Sequence, residues 1–196
     1  MSLNHKFNLG LFILSMRNRK HIRLYGFDYS SMRNYFITII VKDHIHAFGE
    51  IADKTMKLSC NGNIAREQWQ WLGDRYPYID LISFVIMPDH VHGIIHINTN
   101  YYIDPNNHVN PFNPVPGFSK IKPLPELIGA FKTTVSKRIH MGGDIGFKWQ
   151  NSYHDHIIRN KHELNRIKCY IEKNPENWES PCSEGSRPFT TQSTQS

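Results

Sequence analysis

From Leu81 to Ile97 the chain reads as one β-hairpin, and no other stretch constrains the fold as much. Leu81 to Met87 has the composition of a strand, Pro88-Asp89 is a turn, and Val91 to Ile97 is a second strand. Side chains alternate between the faces of a strand, so His90 and His92 project the same way while Val91 points back into a core. Two imidazoles on one face can grip a metal ion. The spacing alone carries little weight, because the chain has twelve histidines and repeats it in His44-Ile45-His46 and His154-Asp155-His156. Position sets the pair at 90 and 92 apart: it opens a central strand beside a turn that leaves room for a ligand.

The remaining elements follow from periodicity. Tyr35 to Val41 is rich in β-branched and aromatic residues and is expected to be a strand, with short strands around Ala47 to Ile51 and Lys54 to Ser59. Ile64, Gln68, Trp71 and Leu72 recur at helical spacing and predict a first helix over 62–75, capped by Asn61 or Asn63. Ile128, Phe131, Val135 and Ile139 form the apolar stripe of a second helix from Pro125 to His140, ended by Gly142-Gly143. Phe147 to Ile158 looks extended. Asn160-Lys161-His162-Glu163 is a capping-box variant that opens a third helix, which carries Leu164, Ile167 and Ile171 inward until Pro175 stops it. This order predicts an α+β fold in which an antiparallel sheet packs helices on one face.

A single domain is expected over 21–178, with an N-terminal extension at 1–20, a mobile Asn/Pro-crowded loop at 98–122 and a disordered polar tail at 179–196. Of the net charge of +6, five units sit in residues 1–34, where Lys6, Arg17, Arg19, Lys20, Arg23 and Arg33 face one acid, Asp28. Such an arm suits a polyanionic partner, although composition alone is equally served by solvated terminal charge. Cysteines 60, 169 and 182 are odd in number and lack zinc-type spacing, which favours a reduced, cytoplasmic protein. Leu9 to Met16 is too short to span a bilayer, has no Ala-x-Ala site after it and runs into Arg17-Asn18-Arg19-Lys20; no membrane association is expected.

The third helix carries a second chemical signal. Tyr170 and Asn174 are four residues apart and lie one above the other, so a phenol and an amide share one space. A helical tyrosine is ordinarily a core-edge residue, and only its pairing with the histidine hairpin suggests more.

Tyr35-Phe-Ile-Thr-Ile39, Phe84-Val-Ile-Met-Pro-Asp-His-Val-His-Gly-Ile-Ile95, Gly129-Ala-Phe-Lys132, Trp149-Gln150, His156-Ile-Ile-Arg-Asn160 and Tyr170-Ile-Glu-Lys-Asn-Pro175 occur in that order. Together they resemble the single-tyrosine His-hydrophobic-His transposases, and among these the tyrosine transposase-like proteins associated with repetitive extragenic palindromes. The resemblance runs from Arg19 to Trp178. It implies a ferredoxin-like, RRM-like sheet whose His90 and His92 bind Mg²⁺ or Mn²⁺, with Asn174 at the position of the third ligand, where insertion-sequence members more often have Gln. Tyr170 matches the nucleophile. The implied activity is metal-dependent cleavage and transfer of single-stranded, hairpin or palindromic DNA through a covalent 5′-phosphotyrosine, which lets strands be cut and rejoined without ATP. Insertion-sequence relatives are dimers that supply the tyrosine helix in trans, whereas palindrome-associated relatives can act as monomers; monomer and homodimer both stay open here.

Elementary chemistry agrees with these roles. Phosphodiesters repel nucleophiles, and a cation held by two imidazoles and an amide oxygen would polarise the phosphate and absorb charge; the same mixed set could bind Zn²⁺ in vitro. From a reference pKa of about 10, forming a phenolate at pH 7 costs roughly 4 kcal/mol, part of which the cation, Lys168 or Lys173 would offset. No general base can be named: His96 shares the parity of the pair but lies further along, and His154 and His156 receive no role. Candidate DNA grips are Arg19, Lys20 and Arg23 of the arm, Lys132, Lys137 and Arg138 of the second helix, and Arg159. The alternative is a domesticated DNA-binding protein of the same fold without turnover. A hydrolytic metalloenzyme of another kind is disfavoured, because a third histidine, a His-Glu-x-x-His signature and a ligand carboxylate beside the hairpin are all missing.

Overall fold

The computed structural model describes residues 26–99 and 121–178. The 1–20 extension, Arg19, Lys20 and Arg23, most of the 98–122 loop, Cys182 and the 179–196 tail lie outside the described residues. The elements are β1 (Asn34–Ile40), β2 (Gly49–Ala52), β3 (Thr55–Leu58), α1 (Cys60–Arg75), β4 (Ile79–Ile86), β5 (His90–Ile97), α2 (Leu124–Met141), β6 (His154–Ile158) and α3 (Lys161–Glu172). Strands β4, β5, β1 and β6 form one sheet in that spatial order, every neighbouring pair antiparallel, and β2–β3 is a separate hairpin. With that hairpin set aside, the connectivity is β-α-β-β-α-β, the ferredoxin-like arrangement.

The central strands are covered on both sides. Tyr35, Ile37 and Ile39 of β1 and Val91, Ile95 and Ile97 of β5 face a large core built with α1 and α2. Phe36, Ile94 and Ile158 point the other way and pack on Ile167 and Ile171 of α3. Double coverage explains why five consecutive residues of β1 are buried and why its sequence is an unbroken apolar run. The expected one-face layering describes α1 and α2; α3 takes the opposite face, the one toward which the even-numbered residues of β5 point.

Two details of α1 depart from the sequence expectation. Its cap is Ser59, whose hydroxyl accepts from Gly62 N at 3.1 Å, so the helix opens ahead of Asn61 and Asn63. Its fully buried stripe is Ala65, Trp69 and Leu72, while Ile64 and Trp71 are only half-buried. Trp69 turns inward because Gly93 of β5 leaves a slot for it: a Cβ on Gly93 would sit 2.4 Å from the indole ring. The indole also stacks on Phe84 at 5.7 Å and meets Phe131 edge-on at 5.4 Å.

The other expectations hold with small shifts. In α2, Ile128, Phe131, Val135 and Ile139 are all buried, and the helix ends at Gly142. The 147–158 stretch is partly extended: Trp149 bridges Val41, and regular pairing with β1 begins at His154. Asn160 caps α3 by accepting from Glu163 N at 2.8 Å. The Glu163 carboxylate does not return to the cap residue as a full box would; it accepts from Arg159 N and from His156. No helix among the described residues is long and apolar enough to cross a membrane.

Candidate active site

His90 and His92 open β5 on the face that α3 covers. Their Nε2 atoms are 3.0 Å apart, and each Nδ1 has its own partner. The Asp89 carboxylate accepts from His90 Nδ1 at 2.6 Å, which in a neutral ring leaves the lone pair on Nε2. His92 Nδ1 lies 2.8 Å from the hydroxyl of Thr38, its cross-strand neighbour on β1. Burial, reinforced by the repulsion a proton on His90 would exert, holds His92 well below the usual histidine range and keeps it neutral at pH 7.

Tyr170 and Asn174 come to the same place from α3. The Tyr170 hydroxyl is 3.4 Å from His92 Nε2, and its ring stands edge-on to Phe36 at 6.3 Å. Burial pushes the phenol above its ordinary pKa, and a hydrogen bond from the Asn174 amide opposes that; Lys168 and Lys173 are not among the influences on it. Asn174 is itself buried. It sits just past the helix, where Pro175 begins a single tight turn that packs against β3. Beyond that turn, Trp178 rests between His90 at 5.9 Å and His46 at 5.8 Å.

The structure therefore gathers His90, His92, Tyr170 and Asn174 from one chain, across 78 residues between His92 and Tyr170. The donor set suits a divalent cation. Two imidazoles converge, each held from behind at Nδ1, which is how metal-binding histidines are usually oriented. A separation of 3.0 Å is what two ligands about 2.1 Å from one ion take when they subtend roughly a right angle. The amide of Asn174, donating its N–H to the phenol, keeps its oxygen for a third bond. Among the described residues no group of three or more His, Cys, Asp or Glu is arranged to hold a metal, so a cation here would need the amide.

Sequence reasoning treats Asp89 only as a turn former and sets aside His44. In the structure the Asp89 carboxylate is nearly buried and bridges the two: Oδ1 accepts from His90, and Oδ2 accepts from His44 Nδ1 at 2.6 Å. Burial alone would raise this carboxyl, but the bonds and charge of His90 and His44 outweigh it and hold it below the usual value. His44 and Asp43 both have left-handed backbones, with φ of 55° and 57°. That conformation costs about 1–2 kcal/mol per residue for a side chain with a Cβ. The local signal was an acid immediately before the first histidine, within reach of its Nδ1.

The remaining candidates are scattered. Lys132 is half-buried and donates to the carbonyls of Gln150 and Asn151 at 2.6 and 3.3 Å, and Arg138 pairs with Glu67 at 2.7 Å. With exposed Lys137, they belong to the helix layer on the far side of the sheet from the imidazoles. Arg159 is exposed at the start of α3, on the near side. His156 bonds Glu163 at 2.8 Å. The Nδ1 atoms of His96 and His154 are buried without a hydrogen-bond partner among the described residues.

No protein-family model matches the chain. An uncharacterized protein of Haemophilus influenzae is 31% identical over 175 residues, which span 89% of this chain and 94% of that protein. The solved structure of a REP-associated tyrosine transposase bound to a REP hairpin aligns with a TM-score of 0.53 and 16% identity, over 81% of this chain and 73% of that one. A candidate transposase of Deinococcus radiodurans aligns with a TM-score of 0.42 and 16% identity, over 76% and 95% of the two chains. Likeness at 0.53 and 16% speaks for a common transposase-like fold.

Proposed function

We propose that this chain, which belongs to one family with the uncharacterized Haemophilus influenzae protein, is a metal-dependent nicking and joining enzyme for single-stranded or hairpin DNA. The observation that carries this is the meeting of Tyr170 Oη with His92 Nε2 at 3.4 Å, beside the His90–His92 pair at 3.0 Å. The fold shared with a tyrosine transposase whose structure holds a DNA hairpin supports the choice of substrate.

In this proposal Tyr170 Oη attacks a backbone phosphorus. The new Tyr–O–P bond replaces the P–O3′ bond, the phenol proton leaves to solvent, and the departing 3′ oxygen takes up a proton. The product is a 5′-phosphotyrosine and a free 3′-hydroxyl; attack by a 3′-hydroxyl on the phosphotyrosine reverses the step and joins strands. Asn174 steadies the phenolate through its N–H, against the burial that disfavours it. His90 and His92, with the Asn174 oxygen, would hold Mg²⁺ or Mn²⁺, which supplies charge to polarise the scissile phosphate. A phosphate must reach side chains that are half-buried at His90 and Tyr170 and buried at His92, which favours a strand that can bend rather than duplex DNA.

The test is a labelled hairpin oligonucleotide incubated with the protein and Mn²⁺. A covalent protein–DNA adduct that resists denaturation is expected, and Tyr170→Phe should abolish it while binding persists. An adduct that survives in that variant removes the nucleophile; binding without cleavage under every divalent metal makes the chain a DNA-binding protein only.

A further inference from the structure

The turn that follows β1 has no part in the chemistry above, yet it is built around Asp89. Val41 N donates to Asp89 O at 2.8 Å and Phe48 N donates to Pro88 O at 3.0 Å, so residues 41–48 wrap the Pro88-Asp89 turn from both ends. Between those two anchors, Asp43 and His44 take left-handed backbones, positions that glycine and asparagine fill more readily. What this strained turn achieves is contact: it brings His44 Nδ1 to 2.6 Å from the Oδ2 that His90 leaves unused. The His44 ring is otherwise largely exposed, with 60% of its side chain accessible, so packing does not explain its placement.

We propose that His44 is a positioning residue which, through Asp89, fixes the tautomer and aim of His90. A carboxylate held by one hydrogen bond can rotate about its own χ angles; a carboxylate held at both oxygens cannot. With Oδ2 tied to His44, Oδ1 stays within 2.6 Å of His90 Nδ1 and keeps the proton on that nitrogen. The Nε2 of His90 is then aimed toward His92 Nε2, 3.0 Å away, so the two ring nitrogens converge on one side. This rests on the reading of His90 and His92 as a cation-holding pair, but the positioning itself exists before any ion binds. Partners one step behind a metal ligand commonly change metal affinity by about 10–100-fold when removed.

Two variants separate the bond from the bend. His44→Gly suits the left-handed turn and removes the N–H donor, whereas His44→Asn tolerates the turn and restores a donor. In EDTA-treated full-length protein, imidazole ¹H–¹⁵N correlation spectra should report His90 as the Nδ1–H tautomer in the parent and in His44→Asn, and as a tautomer mixture in His44→Gly. Mn²⁺ affinity, read from the electron paramagnetic resonance signal of the free ion, should fall by about 10-fold in His44→Gly and stay within about threefold in His44→Asn. An unchanged His90 tautomer in His44→Gly overturns the proposal, whatever the Mn²⁺ affinity. A shifted tautomer in a protein whose parent binds no Mn²⁺ sustains it and removes the cation from the site instead.

Discussion

The Tyr170 hydroxyl lies 3.4 Å from Nε2 of His92 within a single chain, on a helix that docks against its own sheet through Ile167 and Ile171. That docking is apolar and continuous with Phe36, Ile94 and Ile158, so the helix has its binding face already filled in one molecule. A site assembled from two protomers would need this cluster to open. Mixing Tyr170→Phe protein with His92→Gln protein is therefore expected to yield no DNA adduct, where a shared site would restore up to half. Adduct formation in the mixture, assayed by denaturing electrophoresis, would show that the helix crosses to a partner.

Gly93 links the core to the site. A methyl group there would lie 2.4 Å from the fully buried Trp69 ring, one residue from His92. Gly93→Ala must push the indole away from Phe84 and Phe131 or bend β5, and forced overpacking of this kind costs about 1–3 kcal/mol. Urea denaturation should record that loss. Pairing it with Trp69→Leu, which vacates the slot, should return part of the stability, so that the two changes couple favourably in a double-mutant cycle.

Local chemistry was legible in the sequence, and the partnership of distant groups was not. The Ile128–Ile139 stripe, the Asn160 cap and the parity of His90 and His92 each depend on residues within one or two turns of each other, and the structure has them all. Gln68 and Leu72 of the expected α1 stripe are buried, but Trp69 replaces Trp71 on the inner face: the two are equally apolar, and only Gly93, on another strand, selects Trp69. The bridge from Asp89 to His44 spans 45 residues and leaves no periodicity to read. Which face α3 covers depends on sheet order, since its own amphipathic stripe would serve either face equally.

Acid should destabilise the metal-free protein earlier than its carboxylates alone would. His92 is held well below the ordinary value of 6.5, so below that pH the unfolded chain takes up a proton that the folded one refuses. Stability then rises with pH across the interval between the folded and unfolded values, and is lost as pH falls through it, with a slope of up to about 1.4 kcal/mol per pH unit. Asp89 and Glu163, both held below their usual values, lose their contributions only in the more acidic range. Melting of EDTA-treated protein between pH 7 and 5 should show the decline, and His92→Gln should flatten it. Equal slopes in both proteins would place the titration elsewhere.

Basic residues near a candidate nucleic-acid site differ in what they are free to do. Lys132 donates to two carbonyls of the 147–153 stretch and is half-buried there, and burial lowers its pKa. Its ammonium ties α2 to the chain that leads into β6, so Lys132→Ala should lower the melting temperature and leave hairpin affinity nearly unchanged. Arg159 is exposed at the entry to α3, the helix that carries Tyr170, and among the described residues its bond to Glu163 is made through the backbone N–H. Its guanidinium can meet a phosphate of a strand lying across the site without giving up that bond. Arg159→Ala should weaken hairpin binding at low salt and reduce the slope of log affinity against log salt by about one, with the melting temperature unmoved. Fluorescence anisotropy across a salt series distinguishes the two residues. If Lys132 alters the slope and Arg159 does not, the DNA path runs over the α1–α2 layer, away from the tyrosine, and the substrate cannot reach both.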